Sequence, residues 1–169
     1  MMKRLGGVIG VAVLGLAGLT ACGGGDDSSS GTAPAASRAE TGAKLATADV
    51  ADLGTVVVDG NGRTVYVFDK DAPGKSNCEG DCLAEWPAVA AGDGTPQLDG
   101  IDASQVSTIT RSDGSKQLAI VGLPLYLFAS DTKAGEAKGQ AVGGVWWVVG
   151  ADGKKVTSQP SSGGNGNGY

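Results

Sequence analysis

From residue 50 onward, apolar side chains come in short runs rich in β-branched and aromatic residues, and Gly-containing turn pairs separate the runs. Residues 55–58 lead through Asp59-Gly60-Asn61-Gly62 into residues 64–68. Residues 106–110 face 116–121 across Asp113-Gly114, and 145–149 face 154–157 across Asp152-Gly153. Strand-like runs that flank Asp-Gly or Asn-Gly predict hairpins, because Gly and Asn tolerate the positive φ of tight turns. Pro124, which has no amide donor, fits the start of a strand over 125–128. Helical periodicity is nearly absent; one turn over 81–86, ahead of Pro87, is the exception. The pattern predicts an all-β, compact antiparallel domain of about eight short strands.

The chain also repeats itself at an offset of 60 residues. Tyr66, Phe68, Asp71 and Trp86 then fall on Tyr126, Phe128, Asp131 and Trp146. Each half carries Tyr-x-Phe-x-x-Asp with a Trp 15 residues after the Asp. A fixed period of this kind predicts two tandem units, about 50–100 and 101–157. Tyr and Phe two apart share one face of a strand; Val65 with Val67, and Leu125 with Leu127, form the other. Both faces are apolar, so these strands should be central and covered on both sides. A buried Tyr needs a hydrogen-bond partner, and Asp71 and Asp131 offer one, each within its own half. Alternatively each Asp accepts amide hydrogens in the turn that follows, as in an Asx-turn. Trp146 and Trp147 should point to opposite faces, and an exposed Trp would mark a binding surface for glycans or a partner protein.

The ends read differently. Lys3 and Arg4 precede an uncharged run over 5–19, the layout of a secretory leader and too short for a membrane-spanning helix. The run ends in Leu19-Thr20-Ala21-Cys22, which resembles the lipobox of bacterial lipoproteins. That resemblance implies cleavage of 1–21 and acylation of Cys22. Multiple acyl chains hold a protein to a membrane firmly where one binds marginally. Residues 22–48 then form a Gly/Ser/Ala-rich tether, too poor in apolar residues to fold, and 158–169 a disordered tail. The two-repeat domain should occupy 49–157.

Charge and composition narrow the chemistry. Loss of the leader takes the net charge from −5 to −7, which argues against a nucleic-acid partner. The chain has no His, which removes Ser-His-Asp and Cys-His catalysis and His-ligated metals. No phosphate-cradling loop or nucleophile elbow occurs, and nothing calls for a cofactor. Cys78 and Cys82 lie four apart around Gly80; outside the cytoplasm they should oxidise to a disulfide. They are a structural staple or a redox-active pair. Glu79 and Asp81 beside them discourage thiolate formation, and the spacing is not C-x-x-C. Asp69, Asp71, Glu79, Asp81 and Glu85 cluster in sequence, so a hard cation is conceivable, although the spacing is not that of an EF-hand loop.

At these motifs the chain resembles the bacterial secreted-repeat lipoproteins with a Tyr-x-aromatic-x-x-Asp motif, a family with no assigned molecular function. The resemblance runs from about residue 53 to 149. It rests on the two Tyr-to-Asp segments, Cys78 to Cys82 with Trp86-Pro87, and Gly143-Gly144-Val145-Trp146. It implies a lipid-anchored module on the outer face of the cell membrane. The expected role is non-enzymatic, binding or supporting an envelope protein or glycan; a redox accessory using Cys78 and Cys82 and a cation binder using the acidic residues are the alternatives.

Overall fold

The computed structural model describes residues 42–158. The expectations for the leader, Cys22, most of the tether and the tail lie outside them. In chain order the elements are β1 (Lys44–Val50), β2 (Gly54–Asp59), β3 (Tyr66–Phe68), the helical turn α1 (Asp81–Glu85), β4 (Gln97–Asp99), β5 (Val106–Thr110), β6 (Lys116–Ile120), β7 (Leu123–Pro124) and β8 (Trp146–Val148). The domain is all-β with eight short strands, and its two halves repeat the same plan.

Hairpin β1–β2 pairs Thr47 with Val57; hairpin β5–β6 pairs Thr108 with Leu118, so the second copy recurs close to 60 residues on. The helical turn α1 likewise has its counterpart in a single 3-10 turn at Val142–Gly144. Pro124 is the second and last residue of β7, where it pairs with Ala119, rather than the first residue of a strand over 125–128.

Three expectations need correction. The tether does not reach residue 48, because β1 begins at Lys44. Only Leu45 and Val50 of that strand are buried, too few to signal it from composition; its order comes from lying against the β-branched β2. Second, β3 pairs with β8 of the other half, Tyr66 opposite Val148. The hairpin across 59–62 is correspondingly short, held by the Val58–Thr64 bridge. Third, the runs at 125–128 and 154–157 form isolated bridges, at Tyr126 and Lys155, rather than strands, while β1 and the parallel-paired β4 take two of the eight places.

Pairing between the halves is reciprocal. Tyr66 and Tyr126 exchange both backbone hydrogen bonds, at 2.8 and 2.9 Å. Val148 of the second half lies opposite Tyr66, and Ala88 of the first lies opposite Tyr126. Farther along, Gly150 bridges to Val56 and Ala90 to Gln117. Each half therefore lends one extended segment to the other, residues 88–90 from the first and 146–150 from the second.

Alternation along these segments builds two cores, as the strand pattern requires. Val65, Val67, Leu125 and Leu127 lie in an aliphatic core with Leu45, Leu118 and Ile120. Tyr66, Tyr126, Phe128, Trp86 and Trp146 lie in an aromatic core on the opposite face. The central segments are covered on both sides.

Candidate functional site

The motif residues converge in the aromatic core, and the two halves cross there. The Tyr66 hydroxyl donates to Asp131 Oδ2 at 2.5 Å, and the Tyr126 hydroxyl donates to Asp71 Oδ2 at 2.7 Å. Each Tyr thus bonds the Asp of the other half, not of its own as the sequence suggests. The antiparallel contact at the two tyrosines explains the exchange. It sends the chain beyond Phe128 back alongside the first half, where Thr64 Oγ1 donates to the Glu136 carbonyl at 2.6 Å. Asp131 arrives beside Tyr66, and by the reciprocal path Asp71 arrives beside Tyr126. The second oxygen of each Asp accepts a backbone amide, from Asn77 at 2.6 Å and from Lys138 at 2.9 Å. These donors lie six and seven residues on, beyond the span of an Asx-turn.

Burial dominates the electrostatics. It raises the carboxyls of Asp71 and Asp131 above the ordinary range, with the tyrosine hydroxyls and backbone amides pulling the other way. It pushes both phenols well above their usual 10, so neither is ionised at neutral pH.

Between the crossings runs a stack of four rings. Phe68 lies on Trp146 at 4.2 Å, Trp146 on Trp86 at 3.8 Å and 2°, and Trp86 on Phe128 at 4.4 Å. The first and last members, like the middle two, are equivalent across the repeat. Tyr66 meets Trp86 edge-on at 5.4 Å, and Tyr126 meets Trp146 edge-on at 5.2 Å. Such contacts add about 0.5–1.5 kcal/mol each beyond area burial. Gly139 leaves room for this packing: a Cβ there would sit 2.8 Å from Trp86 and Tyr66 ring atoms.

The surroundings of the crossings differ. Beside Tyr126 lies Arg111, only 6% exposed. Its guanidinium donates to Ser76 Oγ at 2.8 Å, Gln117 Oε1 at 2.6 Å and the Cys78 carbonyl at 2.5 Å. Ser76 Oγ in turn lies 2.7 Å from the Tyr126 hydroxyl. Arg111 and Asp71 are thus joined through two hydroxyls. Sequence reading missed Arg111, because an Arg next to a Ser-Asp-Gly turn looks solvent-exposed. The only available signal was the internal offset, which sets Arg111 against Ala51 and Ser76 against Glu136.

Cys78 and Cys82 form a disulfide. Cys78 is fully buried in the aromatic core. In a loop this small the bond contributes about 2 kcal/mol by restricting the unfolded chain. It also fixes the segment whose carbonyl holds Arg111. The acidic residues adjacent in sequence are drawn apart. Asp71 serves Tyr126, Asp69 Oδ2 accepts from Trp147 Nε1 at 2.8 Å, and Glu79 Oε1 accepts from Ser112 at 2.6 Å. Asp81 opens α1 and, like Glu85 at its end, is exposed. Among the described residues no three Cys, Asp or Glu side chains converge as a metal site. Trp146 enters the aromatic core and Trp147 the opposite side, as alternation requires. Trp147 is half-buried, with Lys155 Nζ 5.4 Å from its ring centroid and 2.7 Å from Asp69.

The doubled β plan and the crossed pairs define a module of two interlocked repeats. Residues 47–90 and 107–150 both match a family described as a secreted repeat of unknown function, and the chain belongs to that family. The matched segments are offset by 60 residues, together cover more than half of the chain, and place the module outside the cytoplasm. No curated protein and no solved structure matches it. No helix among the described residues is long and apolar enough to cross a membrane.

Proposed function

We propose that the protein is a lipid-anchored, non-enzymatic module of the cell envelope, held through Cys22 on the outer face of the membrane, where it binds or supports an envelope protein or glycan. The observation that carries this reading is the use made of the repeated Tyr and Asp residues. Both tyrosine hydroxyls and all four aspartate oxygens are engaged with one another or with backbone amides. They close the contact between the halves and leave a rigid body behind a Gly/Ser-rich segment. The Leu19-Thr20-Ala21-Cys22 sequence supplies the anchor. Lipid attachment through more than one acyl chain gives durable membrane association.

The test is mass spectrometry of the protein from cell membranes, beside a Cys22→Ser variant. The expected product begins at an acylated Cys22, and the variant leaves the membrane fraction while keeping the same melting temperature. An unmodified, uncleaved start would overturn the anchor. Crosslinking on intact cells followed by identification of the attached species tests the partner class.

A further inference from the structure

The aromatic stack ends at a cleft. Phe68, its outer ring, is half-buried with one face against Trp146, and it lines an opening of about 420 Å³. Val67, Leu123 and Val121 complete an apolar lining; Asp71 and Lys154 stand in the wall. The volume lies within the range of small-molecule sites, about 300–1,000 Å³.

Val121 supplies an independent observation. It is the large apolar side chain left exposed among the described residues, at 59%. It also occupies the first position of the two-residue turn between β6 and β7 with φ 49°, ahead of Gly122 at φ 80°. Two consecutive positive φ values define a turn that favours Asn-Gly, and a β-branched residue there is strained. Strain and exposed apolar surface at one residue on the lip of an apolar cleft point to a bound partner.

The charges indicate what kind. Lys155 is paired with Asp69 at 2.7 Å, and Asp71 is committed to Tyr126 and Asn77. An ionic ligand finds no uncompensated partner among them. Lys154, 81% exposed and 3.5 Å from Asp152, retains donor capacity at the rim. We propose that the cleft binds an uncharged aromatic ring carrying a hydroxyl or carbonyl, stacked as a fifth ring next to Phe68 and hydrogen-bonded by Lys154. This deepens the binding reading above by naming a ligand class.

The experiment is titration of the full chain carrying Cys22→Ser, which removes competing acyl chains and detergent, with 1-naphthol, followed by calorimetry and amide NMR. Saturable one-site binding is expected, with shifts at Val121 and Gly153. Val121→Asn relieves the turn and should raise the melting temperature, yet weaken binding about tenfold by removing the apolar lip. The naphthoate anion and dodecanol should both bind about tenfold more weakly than 1-naphthol. Absent saturation, unchanged affinity in Val121→Asn, or equal binding of dodecanol would each overturn the proposal. The result is separable from the anchor: an acylated Cys22 with no naphthol binding leaves the anchor standing, and binding by a chain that is never acylated leaves the cleft standing.

Discussion

The crossing of Tyr126 with Asp71 and that of Tyr66 with Asp131 use the same atoms in unlike surroundings. The first sits against a buried Arg111, two further side-chain partners and a disulfide loop. The second has no guanidinium; the Tyr66 hydroxyl accepts the Gly139 amide, Asp131 accepts the Lys138 amide as Asp71 accepts that of Asn77, and Lys138 Nζ turns outward to Glu136 at 2.9 Å. Asp131 is only 3% exposed. The difference teaches that the antiparallel contact at the two tyrosines fixes the crossing, whereas charge compensation is a local matter that each half solves separately.

The most severe way to break both crossings at once is to remove the stacked centre. Trp86→Ala and Trp146→Ala should each cost about 3–5 kcal/mol in chemical denaturation, with similar values because the residues are equivalent. A mild effect from one alone would show that the stack is not shared. Arg111→Ala should act only on the first crossing and cost about 3 kcal/mol, since it removes the buried guanidinium that holds Ser76 beside Tyr126 and leaves Gln117 Oε1 and the Cys78 carbonyl without their donor. Lys138→Ala, at an exposed pair, should cost less than about 0.5 kcal/mol. Equal losses would erase the contrast between the surroundings.

The crossing itself is tested by double-mutant cycles. Tyr66→Phe should couple to Asp131→Asn by about 1 kcal/mol and to Asp71→Asn by almost nothing; Tyr126→Phe should show the converse. Coupling within a half would restore the arrangement that the sequence suggests. The smallest effect is in pH. For both aspartates the folded-state pKa is raised, so their contribution to stability is complete below the unfolded value of about 3.9 and is lost as pH climbs through the raised one. Urea midpoints should fall slightly from mildly acid to neutral pH, and Asp131→Asn should reduce that slope. Glu136, held at about 2 by Lys138 and the Thr132 amide, acts in the opposite sense in strong acid.

Local physics made much of this legible. The β character, the 60-residue doubling, the two apolar faces at 65–68 and 125–128, and the disulfide all follow from spacing and turn chemistry. Contacts between distant segments did not. Nothing in Tyr66-x-Phe68-x-x-Asp71 says that its Asp belongs to another Tyr, because motif proximity suggests a partner within the same half. Strand β1 escaped notice because Leu45 and Val50 are its only large apolar residues and it gains its order from β2. Arg111 escaped because burial of a charge depends on acceptors brought from 33 and 35 residues away. The cleft joins segments near 68, 121 and 154, which no local pattern relates.

The reciprocal lending of extended segments has a mechanical consequence. Neither half can peel away without withdrawing its lent segment, 88–90 or 146–150, from its neighbour, so the pair should yield to force or protease as one cooperative body. A cut in the connector near residue 94 should leave two fragments that stay clasped in a native gel. By the same geometry, two separate single-repeat chains would meet as a twofold-symmetric dimer, and the connector here replaces that encounter with a high local concentration.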